Sequence, residues 1–155
     1  FRRVLFRSIM SYVDTINQRA QEAQTQVKTS PGQALKTVLQ DMPVRQKNVC
    51  PNKDEDKKVV AQKMTEARDA AAKAICTTLC SIEAAKLGAA IKELNDEERD
   101  TLMKFVYRGF AEREIVDGKE KCTYDCNLLL KAHEEITKIA GNGPVIRSIH
   151  TRLEV

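Results

Sequence analysis

The segment Leu102-Met103-Lys104-Phe105-Val106-Tyr107-Arg108-Gly109-Phe110 is apolar on more than one face when wound as a helix. Leu102, Phe105 and Val106 fall on one side; Met103, Tyr107 and Phe110 fall on an adjoining one. Such a helix must be covered on more than one side, so the chain needs several other elements packed around it. Asn95 is the expected N-cap, and Asp96, Glu97 and Glu98 place acids in the first turn, where they suit the helix dipole.

The surrounding sequence supplies those elements as helices. Ile9, Val13, Ile16, Ala20, Ala23 and Val27 recur at spacings of 4, 3, 4, 3 and 4, a thin stripe that is marginal without a surface to lie on. Ser30-Pro31 predicts a helix start, Leu35, Val38, Leu39 and Met42 its inner face, and Pro43 its end. Residues 44–56 read as a polar loop containing Pro51. The cluster from Lys53 to Lys58 reads as solvated.

Residues 57–80 form the longest helix candidate, with Val60, Met64, Ala67, Ala71, Ala74 and Thr78 on one face and Ile75 and Leu79 beside it. A break is expected near Ser81, which can cap the continuation over 82–94. There Ile82, Ala85 and Ala89 make one side, and Leu87, Ile91 and Leu94 another. Residues 112–122 read as a charged loop. Over 123–140, Leu129, Ala132, Ile136 and Ile139 repeat at helical spacing. Gly141 and Gly143 end that helix and Pro144 begins the next, with Ile146, Ile149 and Leu153 as its stripe. No strand pattern and no long repeat is evident. The expected fold is all-α, a single-domain array of about six or seven helices.

Length and composition agree with that reading. The chain's 155 residues suffice for one domain with a real core. No apolar run approaches the roughly 18 residues of a membrane span. Residues 1–8, Phe-Arg-Arg-Val-Leu-Phe-Arg-Ser, read as the in-frame translation of TTC AGA CGT GTG CTC TTC CGA TCT, which resembles a common sequencing-adapter end. We read them as an artefact rather than a signal peptide, since Arg7 breaks the apolar run and no small-residue cleavage site follows. Met10 is then the expected start. Without the three Arg in residues 1–8, the 26 basic residues fall to 23 against 22 acidic ones, so charge gives no reason to expect a nucleic-acid partner.

Five Cys occur, at 50, 76, 80, 122 and 126. An odd count without a secretion signal predicts reduced thiols. Cys122, Cys126 and His133 could together hold a metal or serve a small catalytic site, although structural zinc prefers tighter, loop-borne pairs and four ligands. No nucleophile has a recognisable surrounding motif, and no phosphate-cradling Gly loop is present.

The segments Leu102–Phe110, Leu129-Leu130-Lys131-Ala132-His133-Glu134, Gly141-Asn142-Gly143-Pro144-Val145-Ile146-Arg147 and Thr151-Arg152 resemble subunit 5 of the actin-related protein 2/3 complex, its smallest subunit. The resemblance covers residues 30–155 and is specific mainly from Leu102 onward. It implies an α-helical structural subunit rather than an enzyme, without cofactor or metal, located in the cytoplasm and cytoskeleton. The globular part, 30–155, would pack on subunits 4 and 1. An N-terminal arm or helix, residues 9–29, would reach actin-related protein 2.

The implied partner-binding residues are Tyr12, Val13 and Ile16 in the arm and Tyr107, Arg108, Arg147, Ile149 and Arg152 in the globular part. Two features depart from the family pattern. The arm is Gln-rich and nearly neutral rather than acidic, and Ala132 stands where an aromatic is common before His133. Phe105 and Ile149 are both expected to cost stability or assembly when cut to Ala.

Overall fold

The computed structural model describes residues 2–43 and 57–150. Within them the chain forms seven helices: α1 (Arg2–Gln26), α2 (Pro31–Leu39), α3 (Lys57–Ser81), α4 (Ala84–Lys92), α5 (Asp96–Ala111), α6 (Cys126–Ala140) and α7 (Gly143–His150). A two-stranded hairpin, β1 (Arg113–Val116) and β2 (Lys119–Cys122), joins α5 to α6. The loop expected over 44–56, with Cys50 and the Lys53–Asp56 part of the charge cluster, lies outside the described residues. Arg152 and Leu153 do as well.

The helix with two apolar sides is enclosed as its sequence requires. Helix α5 packs against α2, α3, α6 and α7, and buries Leu102, Met103, Phe105, Val106 and Gly109. Gly109 marks the closest approach. A Cβ placed there would lie 2.9 Å from Cys76 Sγ on α3 and 3.1 Å from Leu129 Cδ1 on α6, so the absence of a side chain sets the helix spacing. One turn earlier, the Cys76 thiol donates to the Phe105 carbonyl oxygen at 3.6 Å. The N-terminus of α5 is closed by a full capping box. Asn95 Oδ1 accepts from the Glu98 amide at 2.8 Å, and Glu98 Oε2 accepts from the Asn95 amide at 2.8 Å.

The other stripes mostly point where their periodicity placed them. Leu35, Val38, Leu39 and Met42 are buried, and so are Val60, Met64, Ala67, Ala71, Ala74, Ile75, Thr78 and Leu79 along α3. The Ala-rich face of α3 lets α1 and α2 pack on it closely. Of the two sides expected over 82–94, Leu87, Ile91 and Leu94 face the core, while Ala85 and Ala89 are exposed. Helix α1 lies on α2 and α3 through Ile16, Ala23 and Val27. Arg19 secures it, donating to the Gln40 carbonyl at 2.6 Å and to Asp41 Oδ2 at 3.1 Å.

Three expectations are corrected. Residues 113–122 form an antiparallel hairpin rather than a loop, in register Arg113↔Cys122 and Val116↔Lys119. Asp117 and Gly118 turn it with φ of 54° and 73°, as a tight hairpin turn demands. β1 is exposed throughout and β2 nearly so, so no apolar alternation announces them. Ser30 is the N-cap residue of α2, its carbonyl accepting from the Ala34 amide at 3.0 Å, although its side chain makes no cap bond; Ser81 does not cap the next helix, its Oγ donating back to the Thr77 carbonyl at 2.8 Å. The stripe of α7 also faces outward, with Ile146 and Ile149 54% and 63% exposed while Pro144 and Ser148 are buried.

Phe105 is 1% exposed, so Phe105→Ala should cost about 3–5 kcal/mol in denaturant unfolding. Ile149→Ala, by contrast, should stay within about 0.5 kcal/mol for the isolated chain. Equal losses for the two would contradict this placement. A pH dependence follows from Cys76, whose thiol is pushed from 9.0 up to about 12, chiefly by burial and then by Glu112. Between those values the folded chain keeps a proton that the unfolded chain has released. This part of the stability is therefore full below pH 9.0 and falls as pH rises toward about 12. Urea unfolding across that window should show a fall on the order of 3 kcal/mol that Cys76→Ala removes; an unchanged slope in the variant would refute it.

Candidate functional site

The residues expected to bind partners divide into three groups. Tyr12, Val13 and Ile16 sit on α1 above the turn that follows α2. Ile16 is 2% exposed and belongs to the core of this chain, so it is committed to holding α1 in place. The Tyr12 hydroxyl donates to the Asp41 carbonyl at 2.5 Å. Burial first, then the Asp41 carboxylate, pushes that hydroxyl up to about 12. Val13 is half-buried beside it. This corner of α1 is therefore tied to its own chain by Tyr12, Ile16 and Arg19.

Arg108 is also engaged internally. Its guanidinium meets Asp69 on α3, and its Nε lies 3.6 Å from Glu112 at the end of its own helix. These contacts form a wall of an open cleft of about 760 Å³ lined in part by Asp69, Lys73, Glu112, Tyr124 and Asp125. The Tyr124 hydroxyl is held protonated well above its ordinary range by burial and then by Glu112.

The third group faces solvent where α5, α6 and α7 meet. Asp100 and Tyr107 lie two turns apart on the outer edge of α5. Arg147 from α7 grips Asp100 with both branches of its guanidinium, Nε to Oδ2 at 2.5 Å and Nη2 to Oδ1 at 2.8 Å. The hydrogen bond to Asp100 raises the Arg147 pKa further. His133 from α6 meets Tyr107, with Nε2 3.0 Å from the hydroxyl oxygen and the rings edge-to-face at 5.6 Å. Phe110 extends the aromatic contact, its ring centroid 6.5 Å from that of Tyr107.

These polar contacts fasten the three helices together and leave apolar groups outward. Leu130 is 57% exposed, one turn from His133, and Ile146 and Ile149 are bare on α7. Leu130 and Ile146 were not among the expected binding residues. Both interrupt or share an otherwise ordinary core stripe, so periodicity alone does not single them out.

The alternative metal or catalytic trio does not assemble. Cys122 and Cys126 adjoin one another at the base of the hairpin, whereas His133 is taken up by Tyr107. Among the described residues no three or more His, Cys, Asp or Glu side chains gather in a metal-holding group. No helix among them is long and apolar enough to cross a membrane.

The model of the family described as "ARP2/3 complex 16 kDa subunit (p16-Arc)" matches residues 8–155. The chain belongs to this family. It is 30% identical over 83 residues to actin-related protein 2/3 complex subunit 5 of Saccharomyces cerevisiae, covering 54% of this chain and 49% of that protein. It is 26% identical over 122 residues to subunit 5-C of Xenopus laevis, covering 79% of this chain and 65% of that protein. The chain thus spans between half and two thirds of the length of these relatives. In this member of the family, Tyr107, Leu130, Ile146 and Ile149 are exposed on α5, α6 and α7.

The clamp on α7 is testable. Asp100→Ala should loosen α7 with little effect on global stability, as an exposed ion pair contributes little. Amide hydrogen exchange should speed up within residues 143–150 while the rest of the chain keeps its protection. Unchanged exchange in α7 would show that the Arg147–Asp100 pair does not hold it.

Proposed function

We propose that this chain is a non-catalytic structural subunit of an actin-related protein 2/3 complex. In this reading it holds other subunits in register and so supports nucleation and branching of actin filaments in the cytoplasmic cytoskeleton. The observation that carries the reading is the family match from residue 8 to residue 155, which includes every helix from α2 onward. The helical framework supports it physically. A small all-α scaffold can present rigid apolar faces without spending residues on a reaction centre.

On this reading the globular part contacts subunits 4 and 1, and the N-terminal segment contacts actin-related protein 2. Ile146, Ile149 and Leu130 supply apolar area that is exposed among the described residues, while Tyr107, Arg147 and their partners supply a polar frame. The pattern suits an interface with an apolar centre and charged surroundings. Arg108, tied to Asp69, contributes by fixing α5 against α3 rather than by reaching outward. Residues 1–8 add nothing to this function if they derive from adapter sequence.

Affinity capture of the tagged chain from its native cell, followed by mass spectrometry, should recover actin-related proteins 2 and 3 with the remaining subunits. Their absence from the captured material would defeat the proposal. The double substitution Ile146→Asp and Ile149→Asp should lower that recovery about tenfold or more while leaving the melting temperature of the isolated chain nearly unchanged. Full recovery would exclude α7 from the interface.

A further inference from the structure

Cys122 ends β2, and Cys126 opens α6 four residues later. Both are half-buried at the surface rather than enclosed like Cys76. The Arg113 guanidinium, from the residue directly opposite Cys122 across the hairpin, donates to Cys122 Sγ. The Cys126 thiol adjoins it, and its pKa is raised first by that neighbour and then by desolvation. The three residues between the cysteines, Thr123, Tyr124 and Asp125, line the open cleft together with Cys80, while Cys122 and Cys126 lie outside it and meet solvent directly as half-buried surface groups. None of this belongs to the α5–α6–α7 face.

We propose that Cys122 and Cys126 form a reversible dithiol–disulfide site that reacts with hydroperoxides. Cys122 is the attacking sulfur and Cys126 the resolving one. The Cys122 sulfur attacks the terminal peroxide oxygen and the O–O bond breaks. Cys122 becomes a sulfenic acid, and the remaining oxygen departs with a proton as an alcohol, or as water when the oxidant is hydrogen peroxide. The Cys126 sulfur then attacks the Cys122 sulfur, the S–O bond breaks, and the hydroxyl leaves as water with the Cys126 proton. Two thiols and one hydroperoxide thus yield one disulfide, one alcohol and one water.

Each role has a structural source. Arg113 donates to the Cys122 sulfur, so its guanidinium lies where negative charge passes from the attacking sulfur to the departing oxygen, and the resolving thiol opens the adjoining helix. Cys76 and Cys80 lack this arrangement. Burial raises both of their pKa values and disfavours the reactive thiolate. Closing the bridge links the return strand of the hairpin covalently to the first turn of α6. It also turns the sulfur that Arg113 contacts from a thiol into a disulfide sulfur.

The test treats the full chain with hydrogen peroxide, blocks remaining thiols, and maps peptides without reduction. The expected product is a single Cys122–Cys126 bridge that dithiothreitol converts back to two thiols. With Cys126→Ser, a sulfenic-acid probe should label Cys122; with Cys122→Ser, Cys126 should label more slowly. Arg113→Gln should slow bridging about two- to fivefold, the range an exposed charge contact carries. Circular dichroism identifies any variant that fails to fold, and the unaltered chain decides the bridge itself. Independent oxidation of the two cysteines without a bridge, or bridging to Cys50, Cys76 or Cys80 instead, would overturn the proposal. Equal labelling of the two single variants, or an Arg113→Gln rate unchanged from the parent, would overturn the assigned roles.

Discussion

The close passage of α5 between α3 and α6 at Gly109 is the constraint on which the rest of the molecule depends. Any side chain there would press on Cys76 Sγ and Leu129. Because the helices approach so closely, Leu102, Met103, Phe105 and Val106 can all be buried on one short helix. That burial in turn draws α2 and α7 onto its remaining sides. The gain is hydrophobic and dispersive, and it depends on dense packing rather than on any single polar contact. Ion pairs such as Arg108–Asp69 and Arg147–Asp100 orient helices that are already brought together.

Most of this framework is legible in the sequence because burial leaves a period. The two-sided apolar pattern of 102–110 demands a central helix, and the Asn95 cap with its acids marks where that helix begins. Both are local rules that the tertiary structure reinforces. The hairpin is less legible, since every residue of β1 is solvated and alternation has nothing to report. Its only clue is Asp117-Gly118, a strong turn pair that the charged flanks obscure.

The direction of a stripe is a different matter. Ile146 and Ile149 repeat at helical spacing whether they face a core in this chain or a surface outside it, so only the folded structure distinguishes the two. The candidate site divides the same way. Tyr107, Arg147 and Ile149 lie on the face where α5, α6 and α7 meet, but Ile16 is consumed by packing and Arg108 by Asp69. The bonds from Tyr12 and Arg19 to the turn at Asp41 depend on a left-handed residue and on carbonyl oxygens that carry no sequence signature. Leu130 escapes notice because its neighbour Leu129 satisfies the core stripe.

Among its described residues this chain therefore combines a firm interior with an exposed apolar outer face. Hydrogen–deuterium exchange of the isolated chain, compared with the chain inside the assembled complex, tests that combination most directly. New protection is expected over residues 130–134 and 143–150 on assembly, with little change across the buried turns of α5. Protection confined to other surfaces, with α7 exchanging equally fast in both states, would contradict it.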